Sequence, residues 1–166
     1  MSKEYKVYYP SEIGWLEIIG TAESIKAINF VEAGEIDQPI DQTDPPAAVA
    51  ACLAQLDEYF KGERRDFSLN LGPEGTEFQQ AVWRQLTAIP YGQTVSYLDI
   101  ARQVGNEKAV RAVGAANGQN PIVIIVPCHR VIGSNSQLTG YGGGLWRKAW
   151  LLNHEKSFSS PQMALF

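Results

Sequence analysis

The apolar positions of this chain change period twice. Over Tyr5–Tyr9, Gly14–Ile19 and Ile25–Val31, β-branched and aromatic residues form three short runs separated by turn residues such as Pro10 and Ser11. This pattern predicts an antiparallel meander. Residues 34–46 are polar and turn-rich, as in a surface loop. From Ala47 to Lys61 the period becomes helical, with Val49, Cys52, Leu53, Leu56 and Phe60 on one face and Gly62 as the stop. Cys52 sits on that face and reads as packing. No chemistry is visible before residue 70, so residues 1–72 are expected to form a supporting α/β domain.

Residues 67–74 read as a linker into a second domain, 73–166. Thr76-Glu77-Phe78-Gln79 is a capping box ahead of a helix face made by Phe78, Val82, Trp83 and Leu86. Pro90-Tyr91-Gly92 ends that element. Ser96-Tyr97-Leu98-Asp99 opens a second short helix, with Gly105 suited to the C′ position and Asn106 to the next N-cap. A third helix is predicted from Glu107 to about Asn117, ended by Gly118. Two short helices joined by Gly105-Asn106 make a helix-turn-helix candidate, although many helical pairs share that spacing. The third helix is small-sided at Ala109, Ala112, Gly114, Ala115 and Ala116. Such a face either packs tightly on a neighbouring helix or lets the backbone approach another surface, with Lys108 and Arg111 available to phosphates.

The second change of period is the continuous apolar run Ile122-Val123-Ile124-Ile125-Val126, stopped by Pro127. It predicts a short buried strand or an extended core segment. Pro127 forces a turn directly before Cys128 and His129. A thiol beside an imidazole can be activated as a thiolate nucleophile, and it can equally be a small buried hydrophobe. Four scattered residues (Cys52, Cys128, His129, His154) lack the paired spacing of a zinc site.

Charge sharpens the division. The whole chain carries −4, which argues against a polyanionic partner. Residues 1–77, however, hold 15 Asp/Glu and 6 Lys/Arg, whereas residues 78–166 hold 3 and 8. Only the second part is suited to meet nucleic acid. No window approaches the ~20 apolar residues of a membrane span. The start Met1–Lys6 has no apolar signal core, and two cysteines suit a reducing cytosol, so a cytoplasmic protein is expected.

Val126-Pro127-Cys128-His129-Arg130-Val131-Ile132 resembles the active-site signature of the O6-alkylguanine-DNA alkyltransferases, the suicide DNA-repair proteins. Asn120-Pro121, Gly140-Tyr141-Gly142-Gly143-Gly144 and Leu151-Leu152-Asn153-His154-Glu155 extend the match in order. It is close over residues 76–155 and loose before them. The resemblance implies a ribonuclease-like α/β N-terminal domain with a small antiparallel sheet. It also implies a mostly α C-terminal domain of winged-helix, helix-turn-helix character. The implied partner is double-stranded DNA with alkylated bases, bound by a monomer without a cofactor or membrane.

The roles implied follow from the match. Cys128 takes the alkyl group from O6-alkylguanine or O4-alkylthymine, His129 is its base through a water, and Glu155 holds the imidazole. Tyr97 donates to ring N3 of the leaving base, and Asn120 ties the recognition element to the active-site turn. Arg111 fills the gap left by the flipped base, with Lys108, Ala109, Ala112, Gly114, Ala115 and Arg130 as further DNA contacts. Tyr141, Gly142 and Val131 line the base pocket, the carbonyls of Cys128 and Val131 accepting the exocyclic amine. Gly142 stands where some relatives carry serine, which bears on substrate breadth. His154 is expected at the surface or a helix end, and 157–166 as a surface extension. A non-catalytic lesion-recognising DNA-binding protein is the alternative, and a cysteine hydrolase a more distant one.

Overall fold

A computed structural model describes residues 3–36, 44–133, 135 and 138–159 of the chain. The expected loop residues 37–43 and most of the expected tail, 160–166, lie outside the described residues. Two compact units divide between Glu74 and Gly75.

The first unit is built on a meander of β1 (Tyr5–Ser11), β2 (Gly14–Gly20) and β3 (Ile25–Val31), all antiparallel. Pro10 does not end β1 as its residue type suggests; it pairs with Trp15 within the strand. β1 is an edge strand, so a missing N–H is tolerated there. The turn falls instead at Glu12-Ile13, where the Ser11 hydroxyl donates to the Gly14 carbonyl at 2.6 Å. Helix α1 (Ala47–Phe60) buries Val49, Cys52, Leu56 and Tyr59 in one core with Leu16, Ile18, Ile25 and Ile28. Gly20 lets the two layers approach, because a Cβ there would lie 2.9 Å from Val49 Cγ2.

Residues 67–74 are irregular but held in place, unlike a free linker. Ile25 N–H donates to the Asn70 carbonyl and Gly72 N–H to the Ile25 carbonyl, each at 2.8 Å. The Gln55 amide brackets Ser68, accepting from its N–H at 2.9 Å and donating to its carbonyl at 3.2 Å.

The second unit contains α2 (Glu77–Thr87), α3 (Tyr97–Gln103), α4 (Val110–Gly118) and α5 (Leu145–Ser159). Both capping boxes form: Thr76 with Gln79, and Ser96 with Asp99. Gly105 has φ +88°, a conformation that suits glycine at a helix exit. The Asn106 side chain then accepts from Lys108 N–H at 3.0 Å. The predicted third helix is divided into a 3-10 turn at Glu107–Ala109 followed by α4. Trp83 fixes α2 to α4 by donating its indole N–H to the Ala116 carbonyl at 2.9 Å. Two short parallel strands, β4 (Val95–Ser96) and β5 (Val131–Ile132), complete the unit. Among the described residues no helix is long and apolar enough to cross a membrane.

Candidate active site

Residues 122–126 do not form the strand their composition predicts. Ile122, Ile124, Ile125 and Val126 are buried, yet the backbone folds into successive tight turns. Ile125 N–H donates to the Val123 carbonyl at 2.8 Å and Val126 N–H to the Ile122 carbonyl at 3.0 Å. Ile124 is held at φ +74°, a strained value for a β-branched residue. Asn120 imposes this path. Its side-chain oxygen accepts from Ile122 N–H at 3.0 Å and its amide donates to the Val126 carbonyl at 2.7 Å. Pro127, at φ −83° and ψ 65°, forms an inverse γ-turn in which Cys128 N–H donates to the Val126 carbonyl at 2.8 Å. These turns deliver Cys128, His129 and Arg130 as one 3-10 turn leading into β5.

Cys128 is 4% exposed. Burial raises its pKa, and the Asn120 amide, the Lys148 ammonium and nearby backbone N–H groups oppose that rise. The net shift is upward, so the resting sulfur holds its proton and needs a base to become a nucleophile.

The His129 ring is fully buried, with Nε2 2.7 Å from Glu155 Oε2. Burial alone would raise the Glu155 pKa, but His129 and Arg130 outweigh it and hold the carboxyl well below its usual range. An ionised carboxylate only accepts, so His129 Nε2 carries the proton. Nδ1 is the other ring nitrogen, and it has no hydrogen-bond partner among the described residues.

Arg130, which the resemblance grouped with the DNA contacts, is not on the surface. It is 5% exposed, and its Nε and Nη2 donate to the two Glu155 oxygens at 2.8 and 3.0 Å. Its Nη1 donates to the Ile89 carbonyl at 2.7 Å, leaving the guanidinium committed inside the fold. His154 is not at the surface or a helix end either: it is buried between Trp150 and Phe158, at ring distances of 4.8 and 5.0 Å. The turn of α5 that aims Glu155 inward carries its neighbour inward as well.

Lys148 escaped the sequence reading. It is fully buried, donates to the Thr139 carbonyl at 2.6 Å and lies 6.0 Å from the Tyr97 ring centroid. Desolvation lowers its pKa to about 8, against the pull of Cys128. The available signal was helical phase, since Lys148 shares a face of α5 with Leu151 and Glu155. Tyr97 itself donates to the Thr139 carbonyl at 3.4 Å. The Tyr141 hydroxyl is enclosed, Val131 is buried and Gly142 is exposed.

On α4 and the turn before it, Lys108, Arg111, Ala112 and Ala115 are exposed, whereas Ala109 and Gly114 are half-buried. Gly114 faces Tyr97, whose Cδ1 would be 4.0 Å from an added Cβ. A cavity of about 480 Å³ lies elsewhere, between Thr94, Ile132 and the Leu152–Lys156 face of α5. None of Cys128, His129, Tyr97 or Tyr141 lines it, so the thiol is not reached from that side.

Comparison with known proteins covers both units. Residues 5–73 match the 6-O-methylguanine DNA methyltransferase ribonuclease-like domain, and residues 77–157 match the DNA-binding domain of the same family. A methylated-DNA–protein-cysteine methyltransferase of Methanosarcina acetivorans is 47% identical over 154 residues, covering 92% of this chain and 99% of its own length. Mycobacterium tuberculosis O6-methylguanine methyltransferase superposes with TM-score 0.83 at 45% identity, over 95% of this chain and 96% of its own. The Mycobacterium tuberculosis OGT solved in complex with DNA gives TM-score 0.82 at 46% identity, over 92% and 93% of the two chains. With both halves matched and the Cys128-His129-Glu155 array in place, the chain belongs to the 6-O-methylguanine DNA methyltransferase family.

Proposed function

We propose that this protein repairs double-stranded DNA by moving the alkyl group of O6-alkylguanine, and of O4-alkylthymine, onto Cys128, once per molecule. The observation that carries this reading is the buried His129–Glu155 contact of 2.7 Å directly beside Cys128 in the DNA-binding unit.

The exposed Ala112 and Ala115 give α4 a low profile suited to the minor groove, where Lys108 meets phosphate. The lesion lies within the base stack, so the base is extruded and Arg111 occupies the gap. His129 Nδ1 takes the Cys128 proton through a water, and Glu155 stabilises the resulting imidazolium. The thiolate attacks the alkyl carbon, forming C–S as C–O breaks, and the bonding pair passes to the purine. Tyr97 supplies a proton to ring N3, with the Lys148 charge nearby to stabilise its oxygen. Tyr141 and Gly142 wall the pocket, and Asn120 keeps the turn in register. Arg130 acts through Glu155 and touches no DNA. The thioether has no route back to a thiol, so turnover stops at one. The protein acts as a cytoplasmic monomer without a cofactor.

Intact-protein mass spectrometry after mixing with a duplex carrying one O6-methylguanine tests the reading. A gain of one methyl group on Cys128, absent from Cys128→Ala, is expected. Tight binding with no mass change would favour lesion recognition without repair.

A further inference from the structure

The proposed reaction uses Glu155 to anchor His129, and Glu155 is itself held by Arg130. The turn at residues 89–92, between α2 and β4, wraps that ion pair and has no part in the mechanism above. It closes through Gln93 N–H donating to the Pro90 carbonyl at 3.1 Å. The Ile89 carbonyl accepts from Arg130 Nη1 at 2.7 Å, and Gly92 N–H donates to Glu155 Oε1 at 3.5 Å. Between these two contacts the Tyr91 ring lies against Arg130, its centroid 5.7 Å from the guanidinium carbon. One short turn therefore touches both members of the pair with its backbone and covers the cation with an aromatic face.

A guanidinium carries all its N–H donors in one plane, and here that edge is directed at Glu155 and Ile89. Hydrogen bonds in the plane fix distances but resist tilting of the plane weakly. A ring on the face restrains the tilt, and its quadrupole attracts the cation, more strongly where the cation is desolvated. Arg130 is so placed, being buried inside the fold. Any tilt passes directly to the imidazole, because Glu155 Oε2 accepts from Arg130 Nη2 at 3.0 Å and lies 2.7 Å from His129 Nε2.

We infer that Tyr91 is a positioning residue for alkyl transfer. Its ring face fixes the Arg130 guanidinium, and through the Glu155 oxygen shared with His129 it sets the orientation of the imidazole beside Cys128. The ring carries this role and the hydroxyl does not. Tyr91 touches neither the extruded base nor phosphate, so it acts on the rate of transfer and leaves DNA affinity alone.

This inference rests on the proposed alkyl transfer, and its test separates the two. Single-turnover rates are measured on an O6-methylguanine duplex at saturation, together with the duplex concentration that gives half the maximal rate. Tyr91→Phe keeps the ring face and should stay within about twofold of the wild type in both quantities. Tyr91→Leu should slow the saturating rate about tenfold and move the half-saturating concentration by less than about twofold. In an Arg130→Met background the same change should cost less than about twofold, because the cation it acts through is gone. Stepwise fluorination of the Tyr91→Phe ring preserves its shape while weakening its negative face, and should slow transfer step by step. That series reads the contact without opening a cavity.

An unchanged rate across the fluorinated series would overturn the inference. So would an undiminished loss from Tyr91→Leu in the Arg130→Met protein, or a Tyr91→Phe protein as slow as Tyr91→Leu. Failure of the wild type to methylate Cys128 at all would instead overturn the proposed function.

Discussion

The two cysteines occupy opposite kinds of burial. Cys52 is fully enclosed on α1 by apolar side chains, and desolvation alone pushes its thiol up to about 12. Cys128 is nearly as enclosed, but the Asn120 amide, the Lys148 ammonium and the backbone N–H groups of its own turn pull against the same desolvation. Burial by itself makes a thiol inert. Burial with donors and a base within reach keeps it protonated until a substrate fills the site, away from adventitious oxidants. The difference lies in the backbone beneath each residue: a regular helix presents only neighbouring side chains, whereas strained turns present N–H groups and place a histidine next in line.

Removing each thiol in turn separates their roles by the largest margin. Cys128→Ala should abolish transfer, whereas Cys52→Ala should leave the transfer rate within about twofold while lowering stability by about 1–2 kcal/mol. Single-turnover kinetics and urea titration check the pair, and a large kinetic loss in Cys52→Ala would dissolve the distinction.

Next in size is the anchor of the base. Glu155→Gln should slow transfer about 10²–10⁴-fold through loss of the imidazole's orientation and charge stabilisation. Affinity for an alkylated duplex should change by less than about threefold, since no phosphate contact is touched. The same variant leaves Arg130 without its carboxylate, at a cost of about 3–5 kcal/mol for a broken buried pair. Comparable losses in transfer and binding would make Glu155 a structural residue only.

Acid reports on that anchor too. The folded pKa of Glu155 lies below its ordinary 4.5, so its stabilising contribution is fully present above that pH and is lost as pH falls toward the folded value. Denaturation midpoints measured below pH 5 should therefore fall more steeply in the wild type than in Glu155→Gln.

Lys148 gives a smaller effect of the same sign at higher pH. Its folded pKa of about 8 lies below the ordinary 10.5, so between those values the unfolded chain binds more protons. This group therefore adds stability as pH rises from 8 to 10.5, and Lys148→Met should lack that rise. The variant should also slow transfer about tenfold near neutral pH and move the pH–rate profile upward, as expected when a cation near a thiolate is removed. An unmoved profile would exclude Lys148 from the electrostatics of the site. The smallest change belongs to Lys108→Ala, which should weaken duplex binding a few-fold and reduce the salt slope by about one, as for one lost phosphate contact.

Much of this arrangement could be read from residue pattern because the signals are local. The capping boxes at Thr76 and Ser96 and the glycine exit at Gly105 depend on side chains within four positions of each other. The meander follows from alternation. Residues 122–126 misled because an apolar run reports burial and not backbone path. Their turns are set by the Asn120 side chain, whose hydrogen bonds override β-branched preference. Arg130, grouped with the DNA contacts on the resemblance, is instead claimed by the buried Glu155, 25 positions away, a partner that no local pattern reveals. Lys148 was missed because a polar residue on a buried helical face reads as an imperfection in the pattern. Its partner, Thr139, comes from a separate loop. The polar residues that break an apolar face are where the chemistry of this unit collects.

The proposed reaction ends with one alkyl group on the buried Cys128 thiol and no release. It is tested most directly by titrating a fixed amount of protein with excess duplex containing O6-methylguanine and counting repaired guanines. A plateau at one repaired base per protein molecule is expected, with a matching quantity of S-methylated Cys128. Continued repair beyond that plateau, or repair with Cys128 still free, would contradict it.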